Sequence, residues 1–168
     1  GDPFAIRFMA EGFNAFVLNY SIGKPKSFFP RPLTDVSAAI VHIRENAEKY
    51  CIDPDKLFVI GSSAGGYLAG AIGAMWHCDF AKSSPDMEYG ANRTNGVILT
   101  YGVVSTREDI RCFCFDNLVT EEYGEQAVSL EWYVDEKSAP AFIWHSFPDE
   151  CVDPRNALVL ADSYVRAK

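Results

Sequence analysis

The chain has 168 residues, enough for one domain, and 48% of them are hydrophobic, which is typical of a globular protein. Its 15 Lys and Arg against 23 Asp and Glu give a formal net charge of −8, which argues against a nucleic-acid partner. No segment approaches the roughly 20 apolar residues of a membrane span, and the first residues do not resemble a signal peptide. Five irregularly spaced cysteines predict free thiols rather than a disulfide framework or a zinc site. We therefore expect a cytoplasmic protein without a membrane or nucleic-acid partner.

The first part of the chain alternates helical and strand-like patterns. Apolar residues spaced by four predict a short helix over 3–10, and the mostly apolar segment Phe13–Tyr20 predicts a strand. A helical stripe that begins near Pro32 and runs to Ala47 predicts a second helix. The continuous apolar run Leu57–Ile60 predicts another strand.

The same alternation continues to the end of the chain. Small and apolar residues predict a buried helix over Ala64–His77, and two further strands are predicted at Gly96–Tyr101 and Ala141–Trp144. A last helix is predicted after Asp153, which Pro154 follows. Apolar strands separated by helices predict a mostly parallel sheet with helices on both faces, a three-layer α/β architecture formed by residues 1–168 as a single domain.

One segment, 105–136, interrupts this alternation. It joins the sequence Cys112–Phe115 to the acidic stretch Glu121–Glu125. This composition suits an excursion over the carboxyl edge of the sheet, such as a lid or a pocket wall. An ordinary covering helix with irregular flanks accounts for it equally well.

The strongest motif is the G-x-S-x-G sequence Gly61–Gly65, between the predicted strand 57–60 and the helix that follows. In this setting the serine stands on a sharp bend, clear of the sheet, and the small neighbours let strand and helix approach closely. Ser63 is therefore the candidate nucleophile, and the backbone N–H of Ala64 is a candidate oxyanion donor. A phosphate-binding loop would need Lys and Ser or Thr where Tyr67-Leu68 stand. A glycine-rich turn without chemistry is the other alternative.

A serine hydroxyl needs a base to remove its proton and a carboxylate to orient that base. In proteins with this motif the acid follows a later strand, at the same edge of the sheet as the serine. Asp149, shortly after the predicted strand 141–144, is the candidate acid. Its neighbours Glu150 and Asp153 are alternatives, although Asp153 is better placed to cap the helix at Pro154. A solvated surface role for these carboxylates also stays open.

The base is harder to find, because the chain contains only three histidines. His42 lies inside a predicted helix before the serine, which indicates a packing or surface role. His77 ends the helix that begins after the serine motif, roughly 20 Å from Ser63 at 1.5 Å per residue. His145 ends a strand and could line the site, but it precedes Asp149, and no histidine follows that residue.

Several stretches, spread over nearly the whole chain, match one known family. A Pro-Arg-Pro-Leu helix start at 30–33 and a Trp-His-Ser-x-x-Asp loop at 144–149 accompany the serine motif. The chain resembles the α/β-hydrolase esterase/lipase family, and within it the bacterial acetylxylan-esterase-like or feruloyl-esterase-like branch. The matching stretches are 13–20, 29–35, 52–56, 61–66, 96–101 and 139–149.

The resemblance implies the α/β-hydrolase fold and a serine carboxylesterase that often removes acetyl groups from sugars or plant polysaccharides. It assigns the nucleophile to Ser63, the acid to Asp149 and one oxyanion donor to the N–H of Ala64. The partner is then a small-molecule or carbohydrate ester, and the mechanism requires no metal, nucleotide or flavin cofactor. A catalytically inactive relative used as a binding module and a serine peptidase fragment are the alternatives.

Two parts of the family pattern have no match in this chain. They are an oxyanion loop of the His-Gly-Gly-Gly type, which precedes the first helix, and a catalytic histidine after one further strand. Tyr67 stands where relatives often have His, and Pro148 stands where they often have Ala or Asp. We therefore expect a chain truncated at both ends, which by itself is a poor esterase.

Overall fold

The computed structural model of the protein describes residues 2–167. Over this range three strands form one parallel sheet in the order β1-β2-β3, and helices lie before, between and after them. Short 3-10 helices at Asp79–Ala81, Phe113–Asn117 and Leu130–Trp132 lie in the connections. The other elements are α1 (Asp2–Ala10), α2 (Arg31–Glu45), α3 (Ala47–Tyr50), β1 (Phe58–Ser62), α4 (Ala64–Met75), β2 (Gly96–Thr100), α5 (Glu125–Val128), β3 (Ala141–Trp144) and α6 (Arg155–Arg166).

The sheet brings three chain segments together at one edge. The last residue of β1, Ser62, is in register with Thr100, the last residue of β2, which is itself in register with Trp144 at the end of β3. Neighbouring strands lie about 4.8 Å apart, so the residues that follow β1 and β3 begin about 10 Å apart. Ser63, directly after β1, and the loop that carries Asp149, after β3, therefore both lie at the carboxyl edge of the sheet.

The buried helix α4 lies against the sheet because its glycines lack side chains on the facing side. A Cβ atom at Gly70 would lie 2.7 Å from Leu130 Cδ1 and 2.8 Å from Leu99 Cδ2, and one at Gly73 would lie 3.0 Å from Val97 Cγ1. Glycine normally weakens a helix, but here close packing against β2 compensates for its low helix propensity. The predicted helix over 64–77 is confirmed, and it ends at Met75.

The prediction of a strand over Phe13–Tyr20 is wrong, because residues 13–20 are assigned to no strand in the described part of the chain. The apolar composition of this segment is typical of a buried strand. A strand also needs a neighbouring strand with which its backbone forms hydrogen bonds. The segment instead runs beside α3, where the ring of Phe16 contacts that of Tyr50 at a centroid distance of 5.0 Å. Its end is held by the N–H of Ser21, which donates to Asp35 Oδ2 at 2.7 Å.

The remaining predicted strands and helices are confirmed, with ends that move by up to two residues. The segment 105–136 folds as short helical turns rather than as one long helix. Phe115 and Leu130 of this segment are fully buried, and the ring of Phe115 packs edge-on against that of Tyr67 at 5.7 Å. Among residues 2–167, no helix has the length and apolar character needed to cross a membrane.

Candidate active site

Ser63 occupies a strained bend between β1 and α4. Its backbone angles, φ 54° and ψ −119°, lie in a region that residues with a side chain rarely adopt. The N–H of Ser63 donates to the carbonyl of Thr100 at 3.1 Å, and its own carbonyl accepts from the N–H of Tyr67 at 3.0 Å. The sheet and the helix therefore both hold the strained residue, whose side chain is exposed.

The glycines around Ser63 differ in how closely other backbone atoms approach them. A Cβ atom at Gly61 would lie 2.0 Å from the carbonyl oxygen of Gly65, and one at Gly66 would lie 2.8 Å from Gly102 Cα. Both contacts are with backbone atoms, which cannot turn aside as a flexible side chain would. Gly65 has open space at its Cβ position, so the close approach of strand and helix requires glycine at positions 61 and 66 but not at 65.

The N-terminus of α4 lies directly after Ser63. The first N–H groups of a helix have no partner within the helix, and they carry a partial positive charge. Ser63 makes no side-chain capping bond to this end. The N–H of Ala64, the first helical residue, therefore belongs to a group of donors suited to a developing negative charge beside Ser63.

Asp149 lies in the loop after β3 and is fixed by three donors. Its Oδ1 accepts from the N–H groups of Val152 at 3.0 Å and Cys151 at 2.9 Å, and its Oδ2 lies 3.1 Å from His145 Nε2. The two N–H donors of Val152 and Cys151, together with the His145 bond, hold the pKa of Asp149 below its ordinary value. The carboxylate is therefore ionised and oriented at neutral pH.

The two alternative acids have other surroundings. Asp153 accepts from the side chain of Arg155 at 2.6 Å and from the Arg155 N–H at 2.9 Å, which lowers the pKa of Asp153 to about 2. This carboxylate therefore serves the start of α6 rather than a histidine. Glu150 is exposed. Asp149 alone of the three carboxylates has a hydrogen bond to a histidine among the described residues.

The side chain of His145 is almost completely buried, and it is hydrogen-bonded to Asp149. Its Nε2 lies 3.1 Å from Asp149 Oδ2 and 3.0 Å from the carbonyl oxygen of Val152, and since both are acceptors, we assign the hydrogen to Nε2. Its Nδ1 is buried without a hydrogen-bond partner. Nε2 thus carries the hydrogen, and the basic Nδ1 is buried, so we assign His145 to Asp149 rather than to Ser63.

The other two histidines also have partners away from Ser63. His42 Nε2 lies 3.1 Å from the hydroxyl of Tyr50, and His77 Nε2 lies 3.4 Å from a carboxylate oxygen of Asp135, beyond the far end of α4. Within residues 2–167, Ser63 and Asp149 follow strands that end at the same edge of the sheet, and no histidine is hydrogen-bonded to Ser63.

Sequence reasoning missed two contributors to this edge. Thr100 accepts from the N–H of Ser63, and its hydroxyl lies 2.6 Å from that of Ser62. His145 was considered only as a possible lining residue or base, whereas it is hydrogen-bonded to Asp149. The sequence signal for Thr100 was a polar residue at the end of the central strand. The signal for His145 was its spacing of four residues from Asp149.

A parallel sheet whose strand ends on a strained, exposed serine at a helix N-terminus defines the α/β-hydrolase class. Comparison with known proteins agrees, because residues 2–164 match the BD-FAE family. The sequence is also 34% identical to endo-1,4-beta-xylanase B of Butyrivibrio fibrisolvens over an alignment of 170 positions, which covers 97% of this chain and 26% of that protein. The chain therefore belongs to the BD-FAE family, an α/β-hydrolase esterase family.

Solved structures give the same result. An acetyl ester-xyloside bifunctional hydrolase from Caldicellulosiruptor lactoaceticus matches 98% of this chain with a TM-score of 0.79 and 28% identity. A carboxylesterase from Lactobacillus plantarum matches 99% of it with a TM-score of 0.82 and 25% identity. This chain spans 61% and 60% of those two chains, respectively. The expected α/β-hydrolase fold and family are confirmed.

Proposed function

We propose that the protein containing this chain is a serine carboxylesterase that hydrolyses small-acyl esters, acetyl esters of sugars or xylan in particular. The observation that carries the proposal is the strained, exposed Ser63 at the junction of β1 and α4. Backbone strain of this kind persists where surrounding structure enforces it, and it is common at active sites. The names of the relatives, a xylanase and an acetyl ester-xyloside hydrolase, support a carbohydrate ester as the substrate.

The proposed reaction passes through an acyl-enzyme. Ser63 Oγ loses its proton to a base and attacks the ester carbonyl, and the N–H of Ala64 donates to the oxyanion of the tetrahedral intermediate. The intermediate collapses as the alcohol leaves with the proton from the base, and the acyl group remains on Ser63. Water then attacks the acyl-enzyme by the same route, releasing the carboxylic acid and restoring the serine.

Asp149 is proposed to orient the base. A carboxylate oxygen has two lone pairs, so Asp149 Oδ2 can accept from His145 and from one further N–H donor. The proposal therefore requires a base other than His42, His77 or His145, since the first two have partners away from Ser63 and the side chain of His145 is buried. No metal or organic cofactor enters these steps.

We also propose that the segment 105–136 forms one wall of the acyl pocket. It follows β2, whose carboxyl end lies between the ends of β1 and β3. Phe115 of this segment packs against Tyr67, one helical turn after Ser63. The segment is thus anchored close to the serine, and its shape would limit the size of the acyl group.

The test uses the protein encoded by the complete reading frame that contains these residues. Hydrolysis of p-nitrophenyl acetate and of acetylated xylo-oligosaccharides is measured, together with labelling by a fluorophosphonate probe. Ser63→Ala is expected to abolish turnover and labelling, while Ser62→Ala, which changes the adjacent serine, leaves labelling in place. Labelling that survives in Ser63→Ala, or turnover of peptide amides instead of esters, would overturn the proposal.

A further inference from the structure

Asn156, in the first turn of α6, is a fully buried side chain with four hydrogen bonds. Its Oδ1 accepts from the N–H groups of Val104 at 2.9 Å and Ser105 at 3.0 Å. Its Nδ2 donates to the carbonyl oxygens of Ile110 at 3.1 Å and Asp153 at 3.0 Å. This uses both acceptor positions and both donor hydrogens of the amide.

The four partners belong to two different loops at the carboxyl edge of the sheet. Val104, Ser105 and Ile110 lie in the chain that follows β2, whereas Asp153 ends the loop that carries Asp149 after β3. The side chain of Asn156 thus joins the start of the proposed pocket wall to the end of the loop between β3 and α6, residues 145–154, which we call the acid loop.

At this end the loop that carries Asp149 is also held by His145, whose Nε2 lies 3.0 Å from the carbonyl oxygen of Val152. Val152 is buried, and its N–H holds Asp149, so any movement of the chain at Asp153 is transmitted directly to that carboxylate. Arg155 forms an outer connection, in which its side chain contacts Asp153 and Asp109. That contact is half-exposed, so water and salt weaken it, whereas the buried Asn156 bonds are shielded.

Only an asparagine satisfies this set of partners. Two N–H groups require an acceptor, and two carbonyl oxygens require a donor, at positions fixed by the backbone of both loops. An aspartate of the same shape keeps the acceptor oxygen but loses both donor hydrogens. An alanine leaves three buried backbone groups without a partner, namely the N–H groups of Val104 and Ser105 and the carbonyl of Ile110, and each such group is costly to leave unsatisfied. The carbonyl of Asp153 still accepts the backbone N–H of residue 156 at 2.9 Å.

We propose that Asn156 is a positioning residue of the esterase reaction: it holds the acid loop against the chain after β2, so that Asp149 stays aligned with the Ser63 side of the sheet. The proposal rests on the proposed function. Asn156 acts through the loop and makes no contact with reacting atoms. Small displacements of an orienting group reduce the rate much more than they weaken substrate binding.

The chain offers a matched control in Asn92. This asparagine is also fully buried, and its Nδ2 donates to the carbonyl oxygens of Trp76 at 3.0 Å and Ala81 at 3.4 Å, beyond the far end of α4. Asn92→Asp and Asn156→Asp are therefore the same chemical change. Asn92 lies away from the acid loop, whereas Asn156 lies beside it.

The experiment compares both Asp variants, and both Ala variants, in the protein of the complete reading frame. Thermal unfolding reports stability, steady-state kinetics with p-nitrophenyl acetate give kcat and KM, and 13C NMR follows the titration of the Asp149 carboxyl group. We expect all four variants to unfold at lower temperature. Only the Asn156 variants should lower kcat, by about 10- to 100-fold with KM changed less than about threefold, and shift the Asp149 titration upward.

The outcomes separate this proposal from the proposed function. The NMR titration is repeated in a Ser63→Ala background, which needs no turnover, so it still tests Asn156 if the protein hydrolyses no ester. An unchanged Asp149 titration and kcat in Asn156→Asp, with a loss of stability equal to that of Asn92→Asp, would show that Asn156 is structural only. Absence of ester turnover in the unchanged protein, with an Asp149 titration that shifts in the Asn156 variants alone, would contradict the esterase function and leave the loop-positioning role supported.

Discussion

The N–H of Ser63 donates to the carbonyl oxygen of Thr100 at 3.1 Å, one residue beyond the last register pair of β1 and β2. The strained bend is therefore an extension of the sheet and not a free loop. Because α4 begins at the next residue, rotation of Ser63 towards relaxed backbone angles would break a sheet bond and the start of the helix together. The position of the hydroxyl thus follows from the fold.

This strain predicts a difference between two variants that both remove the hydroxyl. Glycine tolerates the φ of 54° at position 63, whereas alanine keeps the unfavourable contact of its Cβ. We expect Ser63→Gly to have a free energy of unfolding about 1 kcal/mol higher than that of Ser63→Ala. Urea unfolding of both variants measures it. Equal stabilities would show that the bend is relaxed in solution.

The glycines after the serine should respond unequally to alanine. The added Cβ of Gly66→Ala would meet Gly102 Cα at 2.8 Å, and backbone must move to relieve that contact, so we expect a loss of about 1–3 kcal/mol. Gly65→Ala is the matched control, because its Cβ has open space in the first turn of α4, and it should be neutral or gain up to about 1 kcal/mol. Unfolding midpoints in urea report both, and a costly Gly65→Ala would contradict this account.

The lowered pKa of Asp149 predicts a pH dependence of stability. A carboxyl whose pKa is lower in the folded than in the unfolded chain stabilises the fold above the unfolded value of about 3.9. That contribution is lost as the pH falls through the folded value. We expect thermal unfolding of Asp149→Asn to depend less on pH than that of the unchanged chain below about pH 4. Parallel curves for the two proteins would show that the three donors do not favour the ionised form.

His145 can be tested as an orienting residue against the alternative of a base. Glutamine keeps an N–H donor for Asp149 but cannot act as a general base at neutral pH. In the complete protein we expect His145→Gln to retain esterase activity within about tenfold, since removal of a true base costs about 10²- to 10⁴-fold. The exposed His42→Gln is the control, with no expected change. A loss of about 10⁴-fold in His145→Gln would identify His145 as the base.

The five free cysteines should be alkylated in an order set by burial. Cys51 and Cys151 are exposed and should react first with iodoacetamide at pH 8. Burial, and then the adjacent thiol of Cys112, raises the pKa of Cys114 to about 12, and burial raises that of Cys78 to about 11. Both should react slowly until urea unfolds the chain. Mass spectrometry of timed samples measures the order, and early labelling of Cys114 would contradict its described environment.

Local sequence patterns were sufficient to predict most helices and strands and the bend at Ser63. The stripe from Pro32 to Ala47 and the run Ala141–Trp144 are confirmed, because period and propensity act within a few neighbouring residues. The bend at Ser63 was predictable since only small residues allow strand and helix to meet so closely. The segment Phe13–Tyr20 was predicted wrongly, because strand pairing depends on a partner that the segment's own residues do not specify.

The sequence by itself determined the alternation of strands and helices, the bend that presents Ser63, and the place of Asp149 after a later strand. The tertiary structure decided how these parts are held. Thr100, His145 and Asn156 are distant from Ser63 in the chain, and their hydrogen bonds form only when parallel strands bring three chain segments to one edge. A hydrogen bond between distant residues leaves no period in the sequence, so the support of the site became visible only in the folded chain.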